Sequence, residues 1–168
     1  MVREAPRSSG GKRETPGVRL VLTTRVLAQI GEHAEAGYPE EAPGGLLGIA
    51  HDQATIEVSE AVPADNSRRD ERRRRYLIGP DDVLALERRA SDSGLQVVGY
   101  YHSHPDAPAV PSEFDREHAW PTYVYLIVSV VDGRAADIRA WRLSDDRAAF
   151  DAIEINDRGL ATTGTEDI

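Results

Sequence analysis

The chain of 168 residues contains no cysteine. Disulfides and thiolate metal sites are therefore excluded, and any metal has to be held by His, Asp or Glu. A chain without disulfides suits a reducing cytoplasm. Long apolar runs are missing too: nothing approaches the roughly 20 residues of a membrane span. Met1 to Gly17 is polar and lacks the apolar segment of a secretory signal. A cytoplasmic protein with no membrane partner is expected. Basic charge is also short, with 20 Lys and Arg against 29 Asp and Glu, a net charge of −9. Such a surface repels phosphate, which argues against nucleic acid as a general partner. One run opposes the trend: Arg68, Arg69, Asp70, Glu71 and then Arg72 to Arg75.

Hydrophobic residues make up 40% of the chain, enough for a core, and the length fits one domain. Residues 1–16 are rich in Ser, Gly, Pro and charge and read as a disordered tail. Residues 157–168 read as a second flexible tail, leaving a domain over 17–156. Within it, Val18 to Leu22 reads as a strand. Thr23 or Thr24 caps a helix carrying Val26, Leu27, Ile30 and Ala34 at helical spacing. Gly44 to Ala50 reads as a buried strand that needs close backbone approach, and Ala54 to Val62 as another. Pro63 to Arg75 is expected to be a loop, and Tyr76 to Ile78 a short strand. Asp81 or Asp82 caps a second helix that stops at Gly94. Leu95 to Tyr101 is a strand running into His102. Tyr123 to Val130 and Ile138 to Leu143 form a hairpin turned by Asp132-Gly133, and Phe150 to Ile155 adds an edge strand. The expected class is α/β (α+β): a mixed sheet flanked by about two helices, with a short third helix after Ser112.

The chemistry concentrates in His102-Ser103-His104-Pro105 and Ser112-Glu113-Phe114-Asp115. Two His at i and i+2 on an extended segment project to the same side and can reach one ion. The proline-rich stretch after His104 limits the entropy lost in ordering the site. Asp115 can return a carboxylate to the same point. Two imidazoles and a carboxylate are typical of catalytic zinc with its fourth position open to water. Each part has a plainer reading. His-x-His alone is more often a polar surface or core pair. Ser112-x-x-Asp115 resembles a capping box that opens a helix, which is compatible with presenting Asp115. Hydrolysis also needs a general base, and Glu40 and Glu41 precede the glycine-rich strand; the pair also reads as a solvated helix end.

The pattern His102-x-His104-Pro105, then Ser112-x-x-Asp115, resembles the zinc motif of the JAMM (MPN+) metalloprotease family. Glu41-Ala42-Pro43-Gly44-Gly45-Leu46-Leu47-Gly48 is similar to that family's upstream element, with Pro43 standing where Cys or Met is usual. The resemblance spans nearly all of Val18 to Leu143. It implies a cytidine-deaminase-like sandwich. It also implies one zinc ion held by His102, His104 and Asp115, Glu41 rather than Glu40 as the base, and Ser112 as an oxyanion donor. The compact loops resemble bacterial members that act on ubiquitin-like sulfur carrier proteins ending in Gly-Gly. These enzymes trim a C-terminal extension or release cysteine from a carrier adduct. Arg75 and Tyr76 are the candidate substrate contacts, and the segment around them is a candidate edge for the extended tail. His118 matches no ligand position of the family. A monomer or a homodimer is expected. The competing readings are a peptidase acting on small peptides, a non-catalytic interaction scaffold of the same fold, and a metal-storage or metal-sensing protein.

Overall fold

The computed structural model describes residues 17–159; the expected tail over 1–16 and most of that over 157–168 lie outside them. The elements in chain order are β1 (Arg19–Thr23), α1 (Thr24–Gly37), β2 (Gly44–Ala50), β3 (Thr55–Pro63) and α2 (Pro80–Asp92). Then follow β4 (Gln96–Pro105), α3 (Glu113–His118), β5 (Val124–Val131), β6 (Arg134–Leu143) and β7 (Phe150–Arg158). The strand order is β1-β3-β2-β4-β5-β6-β7, and β7 pairs in parallel with β1, so the mixed sheet closes on itself.

That closure corrects one expectation. Phe150 to Ile155 is not an edge: β7 lies between β6 and β1, pairs with both, and runs on to Arg158. Nothing nearby in sequence signals a partner more than a hundred residues upstream. Tyr76 to Ile78 is not a strand either. The segment is extended, but the Leu77 N–H donates to the Asn66 side chain and the Leu77 carbonyl accepts from the Ser67 amide, so no ladder forms.

Adjacent residues of β2 divide the core in two, because side chains alternate across a strand. Leu46 faces the main core, where α1 lays Val26, Ile30 and Ala34 among Leu20, Leu126 and Val128. Leu47 faces the other side and packs with Val97 under Leu86 and Ala90 of α2. The helices thus cover opposite faces of the sheet. Ile30 is fully buried, and burying a side chain of that size stabilises by about 1.5–3 kcal/mol. Thr23 caps α1 by accepting from the Val26 amide. Pro80 opens α2, where its missing N–H costs nothing.

Two glycines let β4 take its place. A Cβ on Gly99 would lie 2.0 Å from the Val124 carbonyl oxygen, so only glycine permits this close parallel pairing with β5. A Cβ on Gly44 would lie 2.2 Å from the ring of Tyr101, which fills the main core. Tyr101 faces that core, and Tyr100 packs with Tyr123 on the other side. Alternation then carries His102 and His104 to the same face as Tyr100.

Candidate metal centre

The two histidines stand near the C-terminal end of β4, a strand bonded on one side to β2 and on the other to β5. His102 is 1% exposed and His104 7%. Their Nε2 atoms are 3.0 Å apart. Asp115 comes from α3, with Oδ1 3.2 Å from His102 Nε2 and Oδ2 3.3 Å from His104 Nε2. The three side chains each offer one ligand atom within 4.8 Å of the others. Donor atoms about 2.0–2.1 Å from one tetrahedral ion sit about 3.3 Å from each other. The spacing therefore fits a single zinc-sized ion, and two nitrogens with one carboxylate fit zinc chemistry better than that of a hard cation.

The supports of these groups differ. His104 donates Nδ1–H to the Pro108 carbonyl at 2.9 Å, which leaves its Nε2 lone pair free for the cluster. The flanking carbonyls are also held: Ser129 Oγ donates to Ala107 and Trp141 Nε1 to Ala109. The proline-rich loop is fastened at three successive residues, Ala107 to β5, Pro108 to β4 and Ala109 to β6. His102 has no such bond. Its buried Nδ1 has no hydrogen-bond partner among the described residues, and its ring is held by stacking on Tyr76, centroids 4.5 Å apart.

Asp115 is fixed by the helix it sits on. Ser112 caps α3 by accepting from the Asp115 amide at 3.1 Å, and the Ser112 amide and hydroxyl both donate to Asp115 Oδ2, at 2.7 and 2.8 Å. The capping box and the candidate ligand are one structure. Burial opposes ionisation of Asp115, yet the two histidines and the Ser112 amide hold its carboxyl well below the ordinary range. Burial pulls His102 down, with Asp115 opposing; at His104 burial is outweighed by Asp115 and the Pro108 carbonyl, and the pKa rises.

Glu41 lies on the opposite wall. It is 5% exposed, and its Oε2 has no hydrogen-bond partner among the described residues. Burial pushes its pKa up to about 8, with His104 opposing and Asp115 adding to the rise. Its backbone is clamped from two sides. The Glu41 amide donates to the Arg72 carbonyl at 2.7 Å. On the other side, Ser103 of β4 takes the Ala42 amide on its Oγ and gives its own amide to the Ala42 carbonyl. Pro43, which has no N–H to place, is buried and accepts from the Ala64 amide. Glu40 is solvent-facing and paired with Arg72 at 3.0 Å.

Asn66 was not singled out by the sequence reading. It is 8% exposed. Its Nδ2 donates to the carbonyls of Glu41 and Arg75, and its Oδ1 accepts from the amides of Arg68 and Leu77. One side chain thus ties the loop over 66–77 to the Glu41 backbone. A lone Asn in a polar stretch reads as a turn residue, so spacing gave no signal for it.

The remaining candidates surround a cleft of about 360 Å³. Tyr76, Leu77 and Ile78 form one side, and Phe114, Asp115, His118 and Trp120 line it as well. Arg75 pairs with Glu71 at 2.7 Å and lies 4.9 Å over the Phe114 ring, at the lip of the cleft and outside the metal cluster. His118 donates Nδ1–H to the Phe114 carbonyl and stacks on Phe114, also outside the cluster. His33 bonds the Tyr101 hydroxyl and His51 pairs with Glu57, both away from the site.

With this geometry in place, comparison with known proteins gives the class. The family described as prokaryotic homologs of the JAB domain matches residues 23–144. The chain is 38% identical over 138 residues to a protein of Haloferax volcanii named Desampylase, covering 81% of this chain and 97% of that protein. It is 35% identical over 72 residues to a Desampylase of Pyrococcus furiosus, covering 42% of this chain and 48% of that one. Among solved structures, a Salinibacter ruber protein is 42% identical with a TM-score of 0.66, covering 81% of this chain and 90% of its own. A Desulfitobacterium hafniense protein is 27% identical with a TM-score of 0.72, covering 83% and 93%. The chain belongs to the prokaryotic JAB family, and it is a JAMM-type hydrolase.

Proposed function

We propose that the chain is a zinc-dependent metallopeptidase that hydrolyses the amide bond after the C-terminal Gly-Gly of a ubiquitin-like sulfur carrier protein in the cytoplasm. The observation that carries the reading is Glu41: a buried carboxylate with an oxygen unpartnered among the described residues, set on the wall opposite three side chains spaced for one ion. A storage or scaffold protein gains nothing from such a group, because burying a carboxylate without a partner is costly. His102, His104 and Asp115 would hold the zinc, which when bound would supply Lewis acidity toward water and the scissile carbonyl. Glu41 takes the proton of the attacking water and delivers it to the leaving amine. A single carboxylate that can both take and return a proton suits both transfers.

Ser112 has two available roles. As an oxyanion donor it would contribute roughly 3 kcal/mol, but its proton rests on Asp115 Oδ2, so the hydroxyl must rotate to serve. The observed bonds support a second role, holding Asp115 in place as a ligand.

The substrate side rests on the cleft. Leu77 turns both its backbone groups toward Asn66 and Ser67. Successive residues of an extended segment face opposite ways, so Tyr76 and Ile78 turn theirs outward, where a bound tail can pair as an added strand. Side-chain-free Gly-Gly residues suit a narrow cleft lined by Tyr76, and Arg75 meets the tail at the lip. The relatives named Desampylase support a ubiquitin-like partner. No helix among the described residues is long and apolar enough to cross a membrane.

The test is a mass-spectrometric cleavage assay on carriers ending in Gly-Gly plus a short extension or a cysteine, with and without chelator. Chelator-sensitive release after Gly-Gly, absent in Glu41→Gln, is the expected result. A zinc-loaded protein that releases nothing from any carrier would contradict the substrate assignment.

A further inference from the structure

The arginine run is sorted by the fold into two sets. Arg68 pairs with Asp70 and Glu71, Arg72 with Glu40, and Arg75 with Glu71. Arg69, Arg73 and Arg74 are exposed and, among the described residues, have no carboxylate in salt-bridge range. They do not hang on a loose loop. The amides of Arg74 and Arg75 both close on the Glu71 carbonyl at 2.9 Å, Glu71 sits at φ 52°, and Asn66 pins the stretch from inside. The same backbone brackets the site, since the Arg72 carbonyl holds the Glu41 amide. A preformed cluster of positive charge, whose neighbouring carboxylates Glu40 and Glu71 are already paired with Arg72 and Arg75, therefore stands on the loop that holds the Glu41 backbone, in a chain whose net charge is −9.

We propose that Arg69, Arg73 and Arg74 form a docking surface for an acidic face of the folded protein whose tail enters the cleft. The inference rests on the reading above that the substrate is a protein. Like charges held together on an ordered turn repel, and a carboxylate-bearing surface relieves that repulsion on contact. The position fits a body lying outside the cleft while its tail runs past Tyr76. Magnitude decides against nucleic acid as the partner. Duplex binders typically neutralise about 6–10 phosphates, whereas this patch offers three free guanidinia on a strongly acidic protein. A protein partner needs only a few complementary charges to be steered, which raises association about tenfold or more at low salt.

The experiment compares the wild-type protein with the triple variant Arg69→Glu, Arg73→Glu, Arg74→Glu. A second triple variant to Gln, with unchanged thermal melting, guards against misfolding. The probes are an acidic ubiquitin-like domain ending in Gly-Gly plus a short extension, the same tail as a detached peptide, and duplex DNA. Affinity and kcat/KM are read at about 0.05 and 0.3 M salt. The expected result is a loss of about tenfold or more on the folded domain at low salt, smaller for the Gln variant and closing at high salt. Cleavage of the detached peptide should change by less than about twofold. Unchanged affinity for the folded domain, an equal loss on the peptide, or a loss confined to DNA would each overturn the proposal. Binding that depends on the arginines without cleavage would keep the docking surface and remove the proposed reaction. Cleavage with binding indifferent to the arginines would do the reverse.

Discussion

The two walls of the site are built on opposite terms. The wall of the candidate ligands comes from β4, α3 and the fastened loop between them, and its carboxylate, Asp115, takes two hydrogen bonds from Ser112. The wall of the candidate base comes from the segment before β2 and the irregular loop over 66–77, and its carboxylate, Glu41, keeps an oxygen without a partner among the described residues. Asp115 is held well below the ordinary range and Glu41 is pushed up to about 8. The two carboxylates are thus held in opposite protonation regimes, and the proposed reading assigns them different work, Asp115 as a permanent anion and Glu41 as a proton carrier. Holding metal and moving protons should then be separable by mutation.

The sharpest break is Glu41→Gln. Turnover is expected to fall about 10²–10⁴-fold while metal affinity stays near wild type, read by steady-state kinetics beside a metal titration. The same substitution should stabilise the metal-free protein. Unfolded, Glu41 ionises near 4.5; folded, its pKa is about 8. Between those values the native state keeps a proton that the unfolded state has released, so stability falls as pH rises, by about 1.4 kcal/mol per unit. The loss is about 3 kcal/mol at pH 7. Thermal melts in chelator should show the variant ahead at pH 7 and level with wild type near pH 4.5. The opposite wall breaks with Asp115→Asn, expected to weaken metal binding about a hundredfold or more, measured by competition with a chromophoric chelator. An unchanged affinity in the folded variant would remove Asp115 from the ligand set.

Smaller effects sharpen the contrast. Asn66→Ala strands the buried amides and carbonyls it serves, costing about 1–3 kcal/mol in denaturant melts. It should lower kcat about tenfold through misplacement of Glu41 and leave metal affinity alone. Ser112→Ala removes a cap and a hydroxyl on Asp115. It should cost about 1 kcal/mol and about tenfold in metal affinity. A fall in kcat without any loss of affinity would assign Ser112 to the oxyanion instead.

The clustering of His102, His104 and Asp115 was legible in the sequence because its information is local. His102 and His104 share a face by strand alternation, Ser112 and Asp115 by one helical turn, and the resemblance joined the two pairs. The opposite wall was legible only as far as Glu41. Asn66 acts through four backbone groups, and an asparagine's partners leave no periodic trace. The Tyr76 segment looked like a strand because aromatic and β-branched residues favour extension, but extension without a ladder partner is not a sheet. Closure by β7 was hidden for a related reason: a pairing between chain ends has no local signature. In the arginine run, the division into paired and free side chains depends on Glu40 and Glu71, whose positions only the folded loop fixes.

The most direct test of separate walls is a metal titration and a turnover measurement on the same preparation of Glu41→Gln. One ion bound per chain at wild-type affinity, with turnover lost, is the predicted result. Loss of the metal together with activity, or retained turnover, would contradict the division of labour between Asp115 and Glu41.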